Sequence, residues 1–482
     1  MKKTLTIVAA LAVVLMASQA WAATVKRPEE LKYPDLELTT PEYEELEFAN
    51  GMIGFIIEDH EVPVVNISLL IDTGRAPEDK TGLNGFTAWT IRNGGSENWP
   101  ADKINEELEF VAASVEFGGG GRGMRMGPRM SGGGRATTVS VTCLKKDLEL
   151  CLDILGDLLK NPLFPEDKIE LRRETILENI RRENDDPRDV AFREFRKLLY
   201  GEHPMSWRAT EETINSITRD DMVSLHQNLY RPDHAIIGIS GDVAKDEAVS
   251  LLNEALDGWE PGGATVEPEP ELAFDLEPSV NYIYKDINQG VILIGHLGMN
   301  SRDEHRPAVQ IMNFILGGGS FTSRITQKVR TDEGLAYSAR SSYSADPWTY
   351  GTFIASSQTR SDATARAAML IVDEIKKMHD EGPTEAEFEN ARDAYLNMHV
   401  FEYDSMSAVV GQLVLLKWQG RPLDTPERDI EAMENLTLDD IKAAAAEYLH
   451  PDGLTMLFVG DQDKFEQPLE NFGQVNVIEL EE

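Results

Sequence analysis

A sequence that repeats itself has to fold twice, and this one repeats in fixed register. Ile217-Thr218-Arg219-Asp220-Asp221-Met222 returns 219 residues later as Leu436-Thr437-Leu438-Asp439-Asp440-Ile441. At the same offset Pro232-Asp233 meets Pro451-Asp452, and Gly241-Asp242 meets Gly460-Asp461. Each copy spells a Thr-x-x-Asp helix start, a turn, a strand and a Gly-Asp stop. One match is common helix grammar; three in register imply two structurally similar halves.

The hydrophobic pattern fills in each half. Asn50-Gly51 opens a turn into Met52 to Glu58, and Val65, Ile67, Leu69 and Ile71 then alternate at period two. Residues 79–92 and 101–115 read as helices, and Ala136 to Leu144 alternates like a strand. Leu148, Cys151, Leu152, Leu155, Leu158 and Leu159 form a helical stripe, and Pro165 opens a helical pattern through Asn184, broken at Pro187. The fold class expected is α+β: two homologous halves, each a mainly antiparallel sheet covered by helices. Between them, Glu260 to Ser279 mixes Pro261, Gly262, Gly263, Pro268, Pro270 and Pro278 with glutamates. Such a composition buries no core and implies an extended linker.

The first residues read as an export signal. Lys2 and Lys3 precede an apolar run from Leu5 to Ala17, and Ala20-Trp21-Ala22 is a small-x-small cleavage site. The expected organisation is a signal peptide at 1–22, an N-terminal extension at 23–47, a first domain at 48–259, a linker at 260–279, a second domain at 280–468 and an acidic tail at 469–482. No other stretch is apolar enough to span a membrane, so a periplasmic or secreted location is expected. The formal charge of −38 argues against nucleic acid, whose phosphates need clustered Lys and Arg. Cys143 and Cys151 are the only cysteines. Both suit small buried apolar positions, with a disulfide as the alternative.

Several short motifs now stand in order: Asn50-Gly51, Gly82-Leu83, Asn184-Asp185-Asp186-Pro187, Tyr230-Arg231-Pro232 and Gly241-Asp242 in the first half. In the second half come Leu316-Gly317-Gly318-Gly319-Ser320, Ser323-Arg324, Arg330 and Gly334-Leu335-Ala336-Tyr337. Together they resemble the pitrilysin/insulinase family, in particular short two-domain members such as mitochondrial processing peptidase. Active members carry an inverted zinc motif, H-x-x-E-H, whose two His hold the metal while the Glu activates its water. Aligned on Gly82-Leu83 and Gly94, the first His falls on Gly85, the Glu on Ala88 and the second His on Trp89. The later ligand Glu falls on Asn179, or on Glu178 with a one-residue slip. The nine histidines show no i, i+3 or i, i+4 pair. No zinc and no hydrolysis by this chain alone are therefore expected.

The resemblance assigns Arg330 and Tyr337 to substrate: the Arg grips a peptide carbonyl and the Tyr hydroxyl supports the oxyanion formed when water attacks. It implies a non-catalytic, substrate-binding subunit of an exported heterodimeric zinc metallopeptidase. Zinc is expected in a homologous H-x-x-E-H partner subunit, with a peptide or unfolded segment as substrate. The competing expectation for Arg330 is a local salt bridge to Asp332 or Glu333, with Tyr337 packed in a strand. The alternative for the whole chain is a stand-alone peptide-binding or scaffold protein with no catalytic partner. A departure from the family lies at Gly118 to Gly134, where nine of 17 residues are Gly and Arg122, Arg125 and Arg129 alternate with Met124, Met126 and Met130. The loop reads either as a substrate or partner contact or as a flexible insertion.

Overall fold

The computed structural model describes residues 41–118, 134–399 and 405–480. The signal peptide, residues 23–40 and the loop arginines Arg122, Arg125 and Arg129 lie outside the described residues. The first sheet is built from β1 (Glu44–Glu47), β2 (Ile53–Glu58), β3 (Val64–Asp72), β4 (Ser114–Phe117), β5 (Ala136–Leu144) and β6 (Ala235–Gly241), in the order β1-β2-β6-β3-β5-β4. The second half supplies β7 (Ser279–Tyr284), β8 (Gln289–Leu297), β9 (Met299–Asn300), β10 (Ala336–Tyr343), β11 (Ala345–Asp346), β12 (Thr352–Arg360), β13 (Thr455–Gly460) and β14 (Val475–Val477). Apart from the small β9–β11 ribbon, these lie in the order β14-β7-β13-β8-β12-β10.

The two orders superpose strand for strand, and both sheets are mixed. β2 runs parallel to β6 as β7 does to β13, while β3–β5, β3–β6, β8–β12 and β8–β13 are antiparallel. The repeated Thr-x-x-Asp starts are capping boxes in both copies. Thr218 N–H donates to Asp221 and Thr437 N–H to Asp440, each at 2.8 Å, with the hydroxyls accepting in return. Only the outermost strand differs. β1 is antiparallel to β2, whereas β14 joins β7 in parallel from the segment expected as an acidic tail.

Period-two alternation places Val65, Ile67, Leu69 and Ile71 in the first core. Leu70, Phe55 and Ile236 face the other side and are buried too, because the Met406–Trp418 helix of the second half covers them with Leu413 and Val414. The exchange is mutual. The Pro187–Tyr200 helix of the first half lays Val190, Ala191 and Phe195 on Ile283, Val291, Leu293, Leu457 and Val459 of the second sheet. These helices begin 219 residues apart, so the duplicated unit lends its equivalent helix to the other copy. β6 and β13 are apolar on both faces for this reason. Residues 40–482 accordingly form one compact unit.

Three expectations shift. Pro187 begins a helix rather than ending one, with Asp186 capping its first turn. The helix expected over 101–115 stops at Phe110, and Ala112 at φ 54° turns the chain into β4. The linker has no helix or strand but is pinned. The Glu269 carboxylate, 2% exposed, accepts from Arg75 Nε at 2.6 Å and Arg135 at 3.2 Å, and His203 Nε2 lies 3.0 Å from the Pro270 carbonyl oxygen.

Candidate functional site

The positions expected to be a degenerate metal face lie on the Leu83–Gly94 helix, where Gly85, Ala88 and Trp89 stand at i, i+3 and i+4 on one side. A Cβ at Gly85 would meet nothing within 4 Å, whereas Ala88 is buried and Trp89 half-buried. Asn179 and Glu178 are exposed on the Glu166–Arg181 helix, and Glu178 pairs with Arg182 at 2.6 Å. Two turns before Asn179, Arg172 places its guanidinium 5.3 Å from the Trp89 ring centre. Burial lowers the Arg172 pKa, and its Nε has no hydrogen-bond partner. These residues do not fit zinc. Glycine and alanine offer no lone pair, an indole N–H only donates, and a guanidinium repels a dication. Among the described residues no three His, Cys, Asp or Glu side chains converge as a metal-holding group. The sequence shows that Gly85, Ala88 and Trp89 carry no metal donor; it does not show that Arg172 lies against Trp89.

Arg330 and Tyr337 do come together, and with a third residue. The chain after Asn313 runs as a π-helical turn (Phe314–Gly318), a short 3-10 turn (Ser320–Thr322), one turn of α-helix (Arg324–Thr326) and a second π turn (Gln327–Asp332). Wide turns of this kind gather at functional sites because they re-aim side chains. Gly317 is required there: a Cβ would sit 2.4 Å from the Ser341 backbone nitrogen on β10. The segment is tied to the sheet by Thr326 Oγ1 donating to the Ala339 carbonyl at 2.7 Å and Leu335 N–H to Val329 at 2.9 Å. Gly334 at φ 63° makes the turn into β10.

β10 is an edge strand, and Tyr337 is its bulge. Ala336 pairs with Thr359 and Ser338 with Gln358, leaving Tyr337 as the unpaired extra residue, 85% exposed. The Arg330 guanidinium lies 4.8 Å from the Tyr337 ring centre and 4.6 Å from that of Phe321, which is itself 58% exposed. A planar cation between two aromatic faces is held in place without losing its N–H donors. The local salt bridges go elsewhere: Asp332 lies 3.9 Å from Lys328 and Glu333 pairs with Arg366 at 3.1 Å. Phe321 escaped the sequence reading, although a large aromatic inside a Gly/Ser/Thr stretch was its signal. Gly118 and Gly134 flank the undescribed loop, and a Cβ on Gly118 would touch Ala88 at 4.0 Å. Cys143 and Cys151 are buried free thiols.

Comparison with known proteins agrees with this architecture. The insulinase (peptidase family M16) model matches residues 55–209, and the peptidase M16 inactive domain model matches residues 216–395. The non-peptidase homolog YmxG of Helicobacter pylori is 23% identical over 413 residues, covering 84% of this chain and 91% of that protein. An uncharacterized zinc protease of Mycobacterium leprae is 26% identical over 313 residues, 64% of this chain and 69% of the relative. The crystal structure of a peptidase M16 inactive domain from Pseudomonas fluorescens has the same fold, with a TM-score of 0.76 at 22% identity over 87% of this chain and 98% of that one. Matched in both halves, the protein belongs to the insulinase family of peptidases, peptidase family M16.

Proposed function

We propose that this protein is the non-catalytic, substrate-holding subunit of an exported zinc-peptidase pair. In that reading domains 48–259 and 280–468 form a peptidase-like body without its own metal, and a homologous partner supplies H-x-x-E-H and zinc. The observation that carries the reading is the Phe321–Arg330–Tyr337 stack, exposed on a bulged sheet edge while the metal face holds no donor. Arg330 retains N–H groups for a peptide carbonyl, and the Tyr337 hydroxyl is a donor for an oxyanion. The likeness to a relative named as a non-peptidase homolog supports the absence of hydrolysis by this chain. Export rests on the signal expected at 1–22.

The test is reconstitution with the zinc-bearing homologue from the native host. The chain alone should hold no stoichiometric zinc and cleave nothing. In the pair, Arg330→Ala or Tyr337→Phe should lower kcat by roughly 10²–10³, the usual cost of one lost oxyanion donor. The unfolding midpoint should not move, because both groups lie outside the core. Unchanged turnover in both variants would refute the role assigned to Arg330 and Tyr337, and peptide binding with no gain in cleavage on adding the homologue would favour a stand-alone peptide-holding scaffold.

A further inference from the structure

A cavity of about 520 Å³ lies wholly within the first half, away from the Arg330 edge. Three cations line it, Lys160, Arg219 and Arg231, in a chain with 84 acidic and 46 basic side chains. None has a carboxylate partner among the described residues. Lys160 Nζ donates to the carbonyls of Ala255 and Asp257 at 2.8 and 2.9 Å, and Arg219 to those of Phe164 and Leu163 at 3.0 Å. Arg231 donates to the Gln227 carbonyl from Nε at 2.7 Å and from Nη2, and to the Glu260 carbonyl from Nη1 at 3.5 Å, so it contributes charge rather than a free nitrogen. Main-chain carbonyls hold these heads in place but leave their charge uncancelled. Arg219 also keeps one terminal nitrogen, and Lys160 one N–H, without a partner among the described residues. Asp257 is the only acidic residue in the lining.

Behind the wall, which also holds Pro162 and Val223, lies a buried aromatic cluster. Phe164, His226 and Tyr230 form a column with ring centres 5.9 and 5.4 Å apart, and Trp259 Nε1 donates to the Tyr230 carbonyl at 2.9 Å. Phe164 sits at φ 49°, a left-handed conformation that costs a non-glycine residue on the order of 1 kcal/mol or more. Its carbonyl is one of the two that Arg219 takes.

Helix capping alone would explain the cations if the fold needed them there, and the duplicated copy shows that it does not. At the 219-residue offset Arg219 becomes Leu438, His226 becomes Ala445, Tyr230 becomes Leu449 and Arg231 becomes His450. The second copy builds the same capped helix and strand from those residues. The first copy therefore carries cations and rings beyond what its architecture requires.

We propose that this cavity binds an organic carboxylate with an adjoining apolar or aromatic body. The free donors suit a planar monoanion, which takes two N–H groups, better than a phosphate dianion, and the half-buried Pro162, Val223 and His226 offer a surface for the apolar part. Two sources share this chemistry, the free C-terminus of a peptide and a small free acid. The test is calorimetric titration of the full chain with N-acetyl-phenylalanine, its amide, inorganic phosphate and the tetrapeptide Ala-Ala-Ala-Phe. The acid should bind saturably and at least about tenfold more tightly than the amide or phosphate. A tetrapeptide tighter than the single residue identifies a peptide end, and equal binding identifies a small acid. Arg219→Leu and Arg231→His, the residues of the other copy, should each weaken the acid about tenfold or more, with an unchanged circular dichroism spectrum. If a variant fails to fold, the acid–amide comparison on the unaltered chain still decides. Equal binding of acid and amide, no saturable binding, phosphate as tight as the acid, or folded variants that bind normally would each overturn the proposal.

Discussion

The two halves share a strand order and differ at their surfaces. In the first, the Leu83–Gly94 helix is regular, with Gly85 exposed, Trp89 half-buried and Ala88 turned into the core. In the second, the helix Arg306–Asn313 loosens after two turns into wide turns that deliver Phe321 and Arg330 to a bulged edge. The edge strand β4 of the first sheet is only Ser114–Phe117 and pairs without a bulge. The interior strands of each sheet are closed on their outer side by a helix from the other half, so they tolerate little change. Helix faces and sheet edges answer to fewer neighbours, and there the copies differ: one carries Gly85 and Trp89, which offer no metal donor, the other a cation between two rings. Different surface chemistries are thus compatible with one shared core architecture.

The exchanged helices offer the largest test of this parity. Phe195→Ala should cost about 3–5 kcal/mol of unfolding free energy and Leu413→Ala about 2–5, because both side chains are fully enclosed between a helix and the other half's sheet. If the halves act as one body, each variant shifts a single denaturation transition seen by probes in both. Two separated transitions would break the comparison and make the halves independently stable.

An acid titration separates the copies next. His296 on β8 is buried against Tyr343, Phe353 and His450, and burial brings its pKa down to about 4. Counting along the paired strands, Ile71 occupies the equivalent place on β3. Between pH 6.5 and 4 the unfolded chain binds a proton on His296 that the folded chain refuses, so stability falls as pH falls. The loss through this window is on the order of 3 kcal/mol. Glu387 works lower. Burial alone would raise its pKa, but Arg324 and Thr384 bring it to about 2, so its contribution is lost only from about pH 4.5 downward. His296→Phe should flatten the upper part of the stability–pH curve and leave the lower part. An unchanged slope between pH 6.5 and 4 would show that His296 does not distinguish the halves.

Much of this was legible in the sequence, and what was missed has a common cause. Capping boxes, period-two strands and the Gly317-Gly318-Gly319 run act within a few residues, so local pattern reveals them. The exchanged helices were not legible, since an amphipathic stripe says that a face is buried without saying under what. Glu269 looked like linker because its partners, Arg75 and Arg135, are more than a hundred residues away. β14 hid in an acidic stretch because a strand of three residues carries too little period to see. Phe321 and Arg172 each gain meaning from one ring–cation contact, which no spacing rule encodes.

The smallest expected effect bears on the contact between Trp89 and Arg172. Arg172 stands half-buried with no carboxylate among the described residues, an Nε without a partner and Trp89 as its companion. If the indole face offsets part of the cost of desolvating that cation, Trp89→Leu should destabilise the chain by about 1 kcal/mol, the scale of a partly desolvated cation–π contact. Arg172→Leu should cost less than Trp89→Leu or even stabilise, since an apolar side chain removes an unsatisfied donor along with the charge. The double variant should then recover most of the Trp89→Leu loss, giving a coupling of about 1 kcal/mol in a double-mutant cycle read by urea denaturation. Strictly additive losses would mean that the two side chains merely lie near each other. The Leu83–Gly94 helix would then present Trp89 without a partner contact of its own, in contrast to the stacked Arg330 edge of the second half.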